Sequence, residues 1–238
     1  MKLKKQGIAA IFTLSAIAAA HAHTSEDLNV TGTIKAPGCK VELSDGGIAN
    51  FGDIGRNILS ATTSTAIGNK QIDVIVACTE TTYVAIKISD NKSAEKPATA
   101  MTVDFSGSVA SALATSYSGN NLLGLGNSSE GKPVGAYALG LAMPTVDGTP
   151  ATRVAVNLRP DASTGWTNYV TPSAKALAYS SLYPYVGATQ GASASLNLPG
   201  KIHVFPLVIA ASISKSADIP SSENVSLQGS ATVEVMFL

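Results

Sequence analysis

Alternation of apolar and polar residues with a period of two is the feature that most limits what this chain can fold into. Six segments alternate in this way or are rich in β-branched residues: 70–77, 82–89, 101–105, 134–143, 153–158 and 230–238. Clusters of Gly, Asn, Asp and Ser separate many of them. Short strands joined by polar turns predict an all-β sandwich or barrel. Only residues 173–181 have helical character, and a proline lies on each side of them.

The first 22 residues have the form of a signal peptide. Lysines within residues 2–5 precede an apolar run at residues 8–20, which is too short to span a bilayer. Residues 20–22 fit a signal-peptidase site, so we expect export and a mature chain that starts at His23. The alternative is an uncleaved anchor. The best later candidate for a membrane segment, residues 204–213, is short and contains a proline.

Charge and size limit the partners and the number of domains. Cleavage would remove three of the 16 basic residues and none of the 16 acidic ones, which leaves the mature chain slightly acidic. Nucleic acids and anionic membranes both attract clustered Lys and Arg, so we expect neither as a partner. The mature chain is long enough for one sizeable core, and one all-β domain with insertions is favoured over two domains.

Cys39 and Cys78 are the only cysteines in the chain. Export places them in an oxidising compartment, where a bridge between them would close a loop of about 40 residues and contribute roughly 4 kcal/mol. Two thiols without nearby histidines do not form a zinc site, and their spacing is not that of a CxxC redox pair. We therefore predict a structural disulfide.

A short alternating segment lies near the predicted mature N-terminus. Leu28, Val30, Gly32 and Ile34 occupy one face of it, and the residues between them are polar. A strand in this position can pair with its own domain or with another chain.

The order of several short patterns resembles that of subunits of chaperone-usher fimbriae of Gram-negative bacteria. The patterns are Val30-x-Gly32-x-Ile34 before Cys39, Asn50-Phe51-Gly52, the second cysteine at the end of an apolar strand, residues 119–123 and 135–139, and the alternating C-terminal strand at 231–238. The chain is longer than the usual subunit, with the extra length between residues 149 and 199, and its next-to-last residue is Phe237 instead of Tyr. It is similar to a divergent, fimbrial-like branch of the family.

The resemblance implies an immunoglobulin-like pilin sandwich that lacks its last strand. Residues 23–36 would be a donor-strand extension and residues 37–238 the pilin-like domain, with an insertion in its second half. Leu28, Val30, Gly32 and Ile34 would enter the groove of another subunit by β-strand addition. Gly32 would lie where the groove leaves no room for a side chain.

The implied partners are other fimbrial subunits, a periplasmic chaperone and an outer-membrane usher. The C-terminal strand, with Val233, Val235, Phe237 and Leu238, would face the chaperone, and the protein would pass through the periplasm to a fimbrium at the cell surface. Two alternatives stay open from the residues alone. The N-terminal segment would be an ordinary first strand of its own domain, or the C-terminal residues would be plain sandwich core.

We expect no enzymatic activity, no metal and no cofactor. The three histidines, His21, His23 and His203, offer no pair at ligand spacing beyond the predicted signal peptide. The chain has no Gly-x-Ser-x-Gly pattern and no phosphate-binding Gly-x4-Gly-Lys-Ser/Thr pattern.

A second class of function is a sugar-binding adhesive module. Trp166 and Tyr169 lie near three further tyrosines within the extra length, and aromatic rings beside Asn and Asp can form a platform for host glycans. The alternative is that these rings fill a core, since aromatic side chains more often pack than bind. A third possibility is a periplasmic or secreted sandwich protein that completes its own strand set and never polymerises.

Overall fold

The computed structural model describes residues 38–157, 166–170, 176–177, 185–191, 196–221 and 224–238, without the side chains of 168–170 and 176–177. The predicted signal peptide and Leu28, Val30, Gly32 and Ile34 lie outside the described residues. Cleavage of the signal peptide and the donor strand therefore stay predictions.

The described residues form fifteen strands and only short 3-10 turns between them. The strands are β1 Cys39–Leu43, β2 Thr65–Thr82, β3 Val84–Asp90, β4 Met101–Thr102, β5 Ser116–Tyr117, β6 Leu123–Gly124, β7 Gly135–Leu141, β8 Thr145–Val146, β9 Thr149–Pro150, β10 Arg153–Asn157, β11 Thr167–Val170, β12 Ala176–Leu177, β13 Tyr185–Thr189, β14 Gly200–Ile213 and β15 Ala231–Phe237. The 3-10 turns are Ser44–Gly47, Arg56–Ile58, Gly119–Asn121 and Ser216–Asp218. The predicted all-β fold class is confirmed.

Two antiparallel sheets account for most of these strands. Sheet A has the order β1-β2-β14-β7-β12, with β6, β8 and β9 attached to its margins, and sheet B has the order β11-β10-β13-β3-β15. The inward-facing residues of both sheets form one apolar core, in which Val74 and Val76 of β2 meet Ile86 of β3 and Val186 of β13. The two sheets therefore pack face to face as a β-sandwich.

The alternation in β2 and β3 explains why they form the centre of this core. Ile72, Val74 and Val76 point inward and are buried, whereas the residues between them are partly exposed or exposed. A period of two places every second side chain on the same face, so each strand buries one apolar row.

Strand β14 lies in the middle of sheet A, although residues 204–213 are the best later candidate for a membrane segment by hydropathy. A proline usually disrupts a central strand because it has no N–H to donate. Pro206 accepts a hydrogen bond from the N–H of Ala142 at 3.0 Å, so its own missing donor faces the place where pairing changes from β7 to β8. Within the described residues, no helix is long and apolar enough to cross a membrane.

A third layer covers part of the outer face of sheet A. Met101, Phe105 and Tyr117, from the segment that contains β4 and β5, pack on small residues of β7 and β14 such as Ala138. A Cβ atom at Gly140 would lie 2.6 Å from a side-chain carbon of Leu113, so only glycine fits there. The alternating large and small residues of this region thus bury both faces of β7.

The described parts of residues 149–199 do not form a separate insertion. Strands β10, β11 and β13 extend sheet B beyond β3, and β12 pairs with β7 in sheet A. The described part of this range therefore widens the sandwich.

The predicted disulfide is confirmed. Cys39 and Cys78 are bonded, and they lie directly opposite each other in the β1–β2 ladder. The bond joins the first residue of an edge strand to the long second strand of sheet A.

Removal of the disulfide tests how firmly β1 is held. We expect Cys39→Ala/Cys78→Ala to lower the free energy of unfolding by about 2–5 kcal/mol, because the closed loop no longer restricts the unfolded chain. Urea unfolding of the natural chain and of the double variant at the same pH measures the change. A loss below about 1 kcal/mol would show that the ladder alone holds β1 and would contradict the prediction.

His203 supplies a pH-dependent term. It is 1% exposed, its Nε2 donates to the carbonyl oxygen of Gly200 at 3.0 Å, and burial lowers its pKa from the ordinary value of 6.5. The bond to Gly200 and the negative charge of Asp147 partly oppose that effect.

We expect the folded protein to lose stability as the pH falls below 6.5. Below that pH the imidazole of His203 binds a proton in the unfolded chain, whereas the buried imidazole with its lowered pKa binds it less readily. The slope of unfolding free energy against pH is at most about 1.4 kcal/mol per unit for one such group. Denaturant titrations between about pH 5 and 8 measure it. His203→Gln, which keeps a donor, should flatten this part of the curve, and an unchanged slope would contradict the assignment.

Candidate strand-binding groove

β1 is an edge strand of sheet A, and β15 is an edge strand of sheet B. Among the described residues, each of the two has one unpaired edge. β1 pairs only with β2, and β15 pairs only with β3. Both edges border one cavity of about 1040 Å³, since Leu43 of β1 and Val233 of β15 are among its lining residues. We call this cavity and the opening between β1 and β15 the groove.

The inward row of β15 is only partly covered. Val233, Val235 and Phe237 stand opposite Ile88, Ile86 and Val84 of β3 in the antiparallel ladder. The three β3 residues are buried, whereas Val233 and Val235 are half-buried and Phe237 is 41% exposed. One face of the last strand is therefore apolar core that lacks a neighbour on one side.

Strand β1 shows the same asymmetry. Val41 and Leu43 are 41% and 38% exposed, although Val76 and Val74, the residues opposite them in β2, have no exposed surface. A β-sandwich that was closed at this side would bury these side chains, each of which is worth about 1.5–3 kcal/mol when fully removed from water.

The floor of the groove is apolar and well packed. Its lining includes Ile72, Ile88, Tyr137, Leu139 and Leu207, all of which are buried members of the inner faces of the two sheets. We call the part of the groove that is lined by Leu59, Ile219 and Val225 its deep end. Such a surface favours side chains that are apolar and alternate along a strand.

Two irregular segments form the walls beyond the strands. Residues 47–54 follow β1, and residues 224–230 precede β15. The first wall contains Asn50-Phe51-Gly52, in which the Asn50 side-chain oxygen accepts a hydrogen bond from the N–H of Gly52 at 2.8 Å. Phe51 packs against the core, whereas Ile48 is exposed at the opening. This wall keeps its backbone on the rim and one aromatic ring inside.

Contacts of its outer face and of both its ends hold β15 against β3. Lys87 Nζ lies 3.0 Å from Glu234 Oε2, and this hydrogen bond raises the pKa of Lys87 above its ordinary value of 10.5. At the strand's ends, Asn91 donates to Ser230 and the N–H of Leu238 donates to the carbonyl oxygen of Tyr83, each at 3.0 Å. The strand is anchored without a second neighbour.

The polar groups of the lining belong to the rim. They include Asn50, Asp53 and Ser226, and Arg56, whose guanidinium donates to the carbonyl oxygen of Pro220. Among the described residues, no group of three or more His, Cys, Asp or Glu side chains is placed to hold a metal ion. What the described groove can do chemically is to bind an apolar, extended segment through side-chain packing and backbone hydrogen bonds.

Of the predicted C-terminal residues, Val233 lines the cavity, Val235 and Phe237 continue its row along β15, and Leu238 follows the strand. One predicted aromatic residue lies elsewhere. Trp166 is 4% exposed and packs against Ala85 and Ala155 on the outer face of sheet B, so its ring is not an open sugar platform. This burial agrees with the packing alternative for Trp166, and a ligand at this residue stays a prediction. The side chain of Tyr169 lies outside the described residues.

The sequence analysis did not predict that β1 borders the groove. Val41 and Leu43 follow Cys39 at intervals of two, and this spacing was the available signal for an inward row on β1. Residues 47–54 and 224–230 have no periodicity, because they border the groove without forming strands.

Comparison with known proteins shows similarity to a family model over part of the chain and to a bacterial protein over most of it. The family described as "Protein of unknown function (DUF1120)" matches residues 28–138, which begin at the predicted donor strand and include both cysteines. A protein of Escherichia coli (strain K12), titled "Uncharacterized protein YhcF", is 28% identical over 240 residues, covering 96% of this chain and 95% of that protein. No solved structure matches the chain. The similarity to the Escherichia coli protein therefore extends over the whole sandwich.

Proposed function

We propose that this protein is a non-enzymatic structural subunit of a surface fimbria, assembled by exchange of β-strands between copies. The observation that carries the proposal is the groove, where the inner rows of β1 and β15 are half-exposed beside fully buried neighbours. The occupant is the segment with Leu28, Val30, Gly32 and Ile34 from another subunit, which completes the sandwich by β-strand addition.

The dimensions of the segment suit the groove. β15 contains seven residues, and the segment from Leu28 to Ile34 also contains seven, with a length of about 20 Å when extended. Its apolar face meets the floor, while the intervening Asn and Thr side chains face water. The backbone of the segment supplies partners for the free N–H and C=O groups of β15.

An open groove of this kind must be covered before the subunit reaches a partner. Exposed apolar rows next to an unpaired strand edge promote aggregation. A periplasmic chaperone would insert a strand of its own first, and an outer-membrane usher would bring the next subunit to replace it. The proposed route therefore requires export through the inner membrane, which agrees with the oxidised Cys39–Cys78 bond.

The donor face of the segment is tested by Gly32→Arg. We expect this variant to form at least about tenfold less assembled material, because a bulky charged side chain cannot enter an apolar groove. The full exported chain is expressed with a periplasmic chaperone and usher, and oligomers that survive unheated SDS are measured by electrophoresis and electron microscopy.

Thr33→Arg is the matched control. It places the same side chain on the water-facing side of the segment and should assemble like the natural chain. Equal assembly of the two variants, or a strictly monomeric and chaperone-independent natural chain, would contradict the proposal. The second result would instead favour a sandwich that completes itself with its own N-terminal segment.

The acceptor side is tested on β15 by Val233→Asp, with Thr232→Asp on the opposite face as its control. We expect the Val233 variant to accept a donor at least about tenfold more weakly, since a carboxylate would have to be buried against Ile88. Binding of a synthetic peptide with the sequence of residues 24–36 to each chaperone-purified subunit measures the difference. Equal binding would show that the peptide does not enter the groove.

A further inference from the structure

The end of the sandwich near the C-terminus has exposed apolar side chains that do not line the groove. Tyr83 and Leu238 are each exposed by more than a third, and the N–H of Leu238 donates to the carbonyl oxygen of Tyr83. We call these two residues the end cluster. It lies where β2 passes into β3, since Thr82 and Val84 enclose Tyr83 in the chain.

The opposite end of the sandwich has its own exposed apolar residue. Ile58 is 54% exposed and belongs to the 3-10 turn Arg56–Ile58. The N–H of Ser60 donates to the side chain of Thr65, the first residue of β2, so this turn lies at the start of β2 and the end cluster at its finish. Leu59, beside Ile58, lines the deep end of the groove.

The length of the chain between the predicted donor strand and Cys39 decides how two copies meet. This inference rests on the proposed function. All strand pairs among the described residues are antiparallel, and antiparallel ladders are the more stable kind. A donor segment that runs antiparallel to β15 has Leu28 near Phe237 and Ile34 at the deep end, next to Leu59 and Ile58.

From Ile34 the chain reaches Cys39 of the donating copy in five steps, at most about 17 Å when fully extended. Cys39 is paired with Cys78, and β2 continues for four residues beyond that level to Thr82. Four residues of strand project about 13 Å, so the end cluster of the donating copy extends almost as far as the connection reaches. Only a few ångströms separate it from the accepting copy.

We propose that each copy in the fibre packs its end cluster against the Ile58 end of the copy whose groove it fills. Tyr83 and Leu238 of the donating copy contact Ile58 of the accepting copy. The partner is thus a second copy of this chain, and the contact continues the strand interface over the ends of both sandwiches. It removes from water apolar side chains that the groove leaves exposed.

Engineered cysteines test this contact, because the described residues contain no free thiol and Cys39 and Cys78 are the chain's only cysteines. The full chain with Ile58→Cys and Tyr83→Cys is assembled with its chaperone and usher and treated with a short bismaleimide. We expect a ladder of covalent dimers and larger species in reducing electrophoresis after boiling, which disrupts strand exchange.

The matched control pairs Tyr83→Cys with Val109→Cys, a residue that is 47% exposed but lies in the layer over sheet A. The 58/83 pair should yield at least about tenfold more covalent dimer than the 83/109 pair, since a fixed interface raises the effective concentration of the two thiols. Each single variant should yield none in excess of the natural chain.

The outcomes separate this contact from the function on which it rests. SDS-resistant assemblies without excess cross-linking of the 58/83 pair would overturn the end-to-end contact and leave strand exchange intact. Cross-linking by Tyr83→Cys alone would show that the two C-terminal ends meet, as a donor parallel to β15 requires, and would also overturn it. Absence of any assembly would overturn the proposed function and the contact together.

Discussion

A β-sandwich keeps water out of its core only if every edge between its sheets is covered, and in the described structure the edge between β1 and β15 is not. Val76 and Ile86 are fully buried, while Val41, opposite Val76 in the β1–β2 ladder, and Phe237, the last residue of β15, are each 41% exposed. The apolar rows continue to the edge, so side chains suited to a core lie where no neighbouring strand covers them. A single extended strand would satisfy both the apolar rows and the free backbone groups of the two edges.

The rest of the molecule fixes where that cover has to come from. The β4–β5 layer packs on the outer face of sheet A, and Gly140 leaves room for it without a side chain of its own. Trp166 packs on the outer face of sheet B. Both sheets are therefore partly covered on the outside within the described residues, and the half-exposed apolar rows of β1 and β15 are concentrated at one edge. That concentration favours β-strand addition over association through a flat face.

How much of this the sequence could predict depends on the range of the interactions involved. The periodicity of residues 230–238 identified β15 because one strand alternates whether or not its neighbours are known. Strand β14 was harder, because it is buried on both faces and contains Pro206, whose tolerance depends on where β7 gives way to β8. The groove itself, between segments almost 200 residues apart in the chain, follows from long-range pairing that no local pattern encodes, and residues 47–54 carry no period at all.

The position of the disulfide gains a mechanical meaning from the proposed assembly. A pull on the N-terminal extension reaches the described domain at Cys39, the first residue of an edge strand that is paired on one side only. Without a covalent bond, that pull would peel β1 from β2 one hydrogen-bonded pair at a time and open the wall of the groove. The bond to Cys78 transfers the load to β2, which pairs with β14 along nearly its whole length and lies within the core. In the proposed assembly, the same bond would protect both the connection to the next subunit and the shape of the site that holds the previous one.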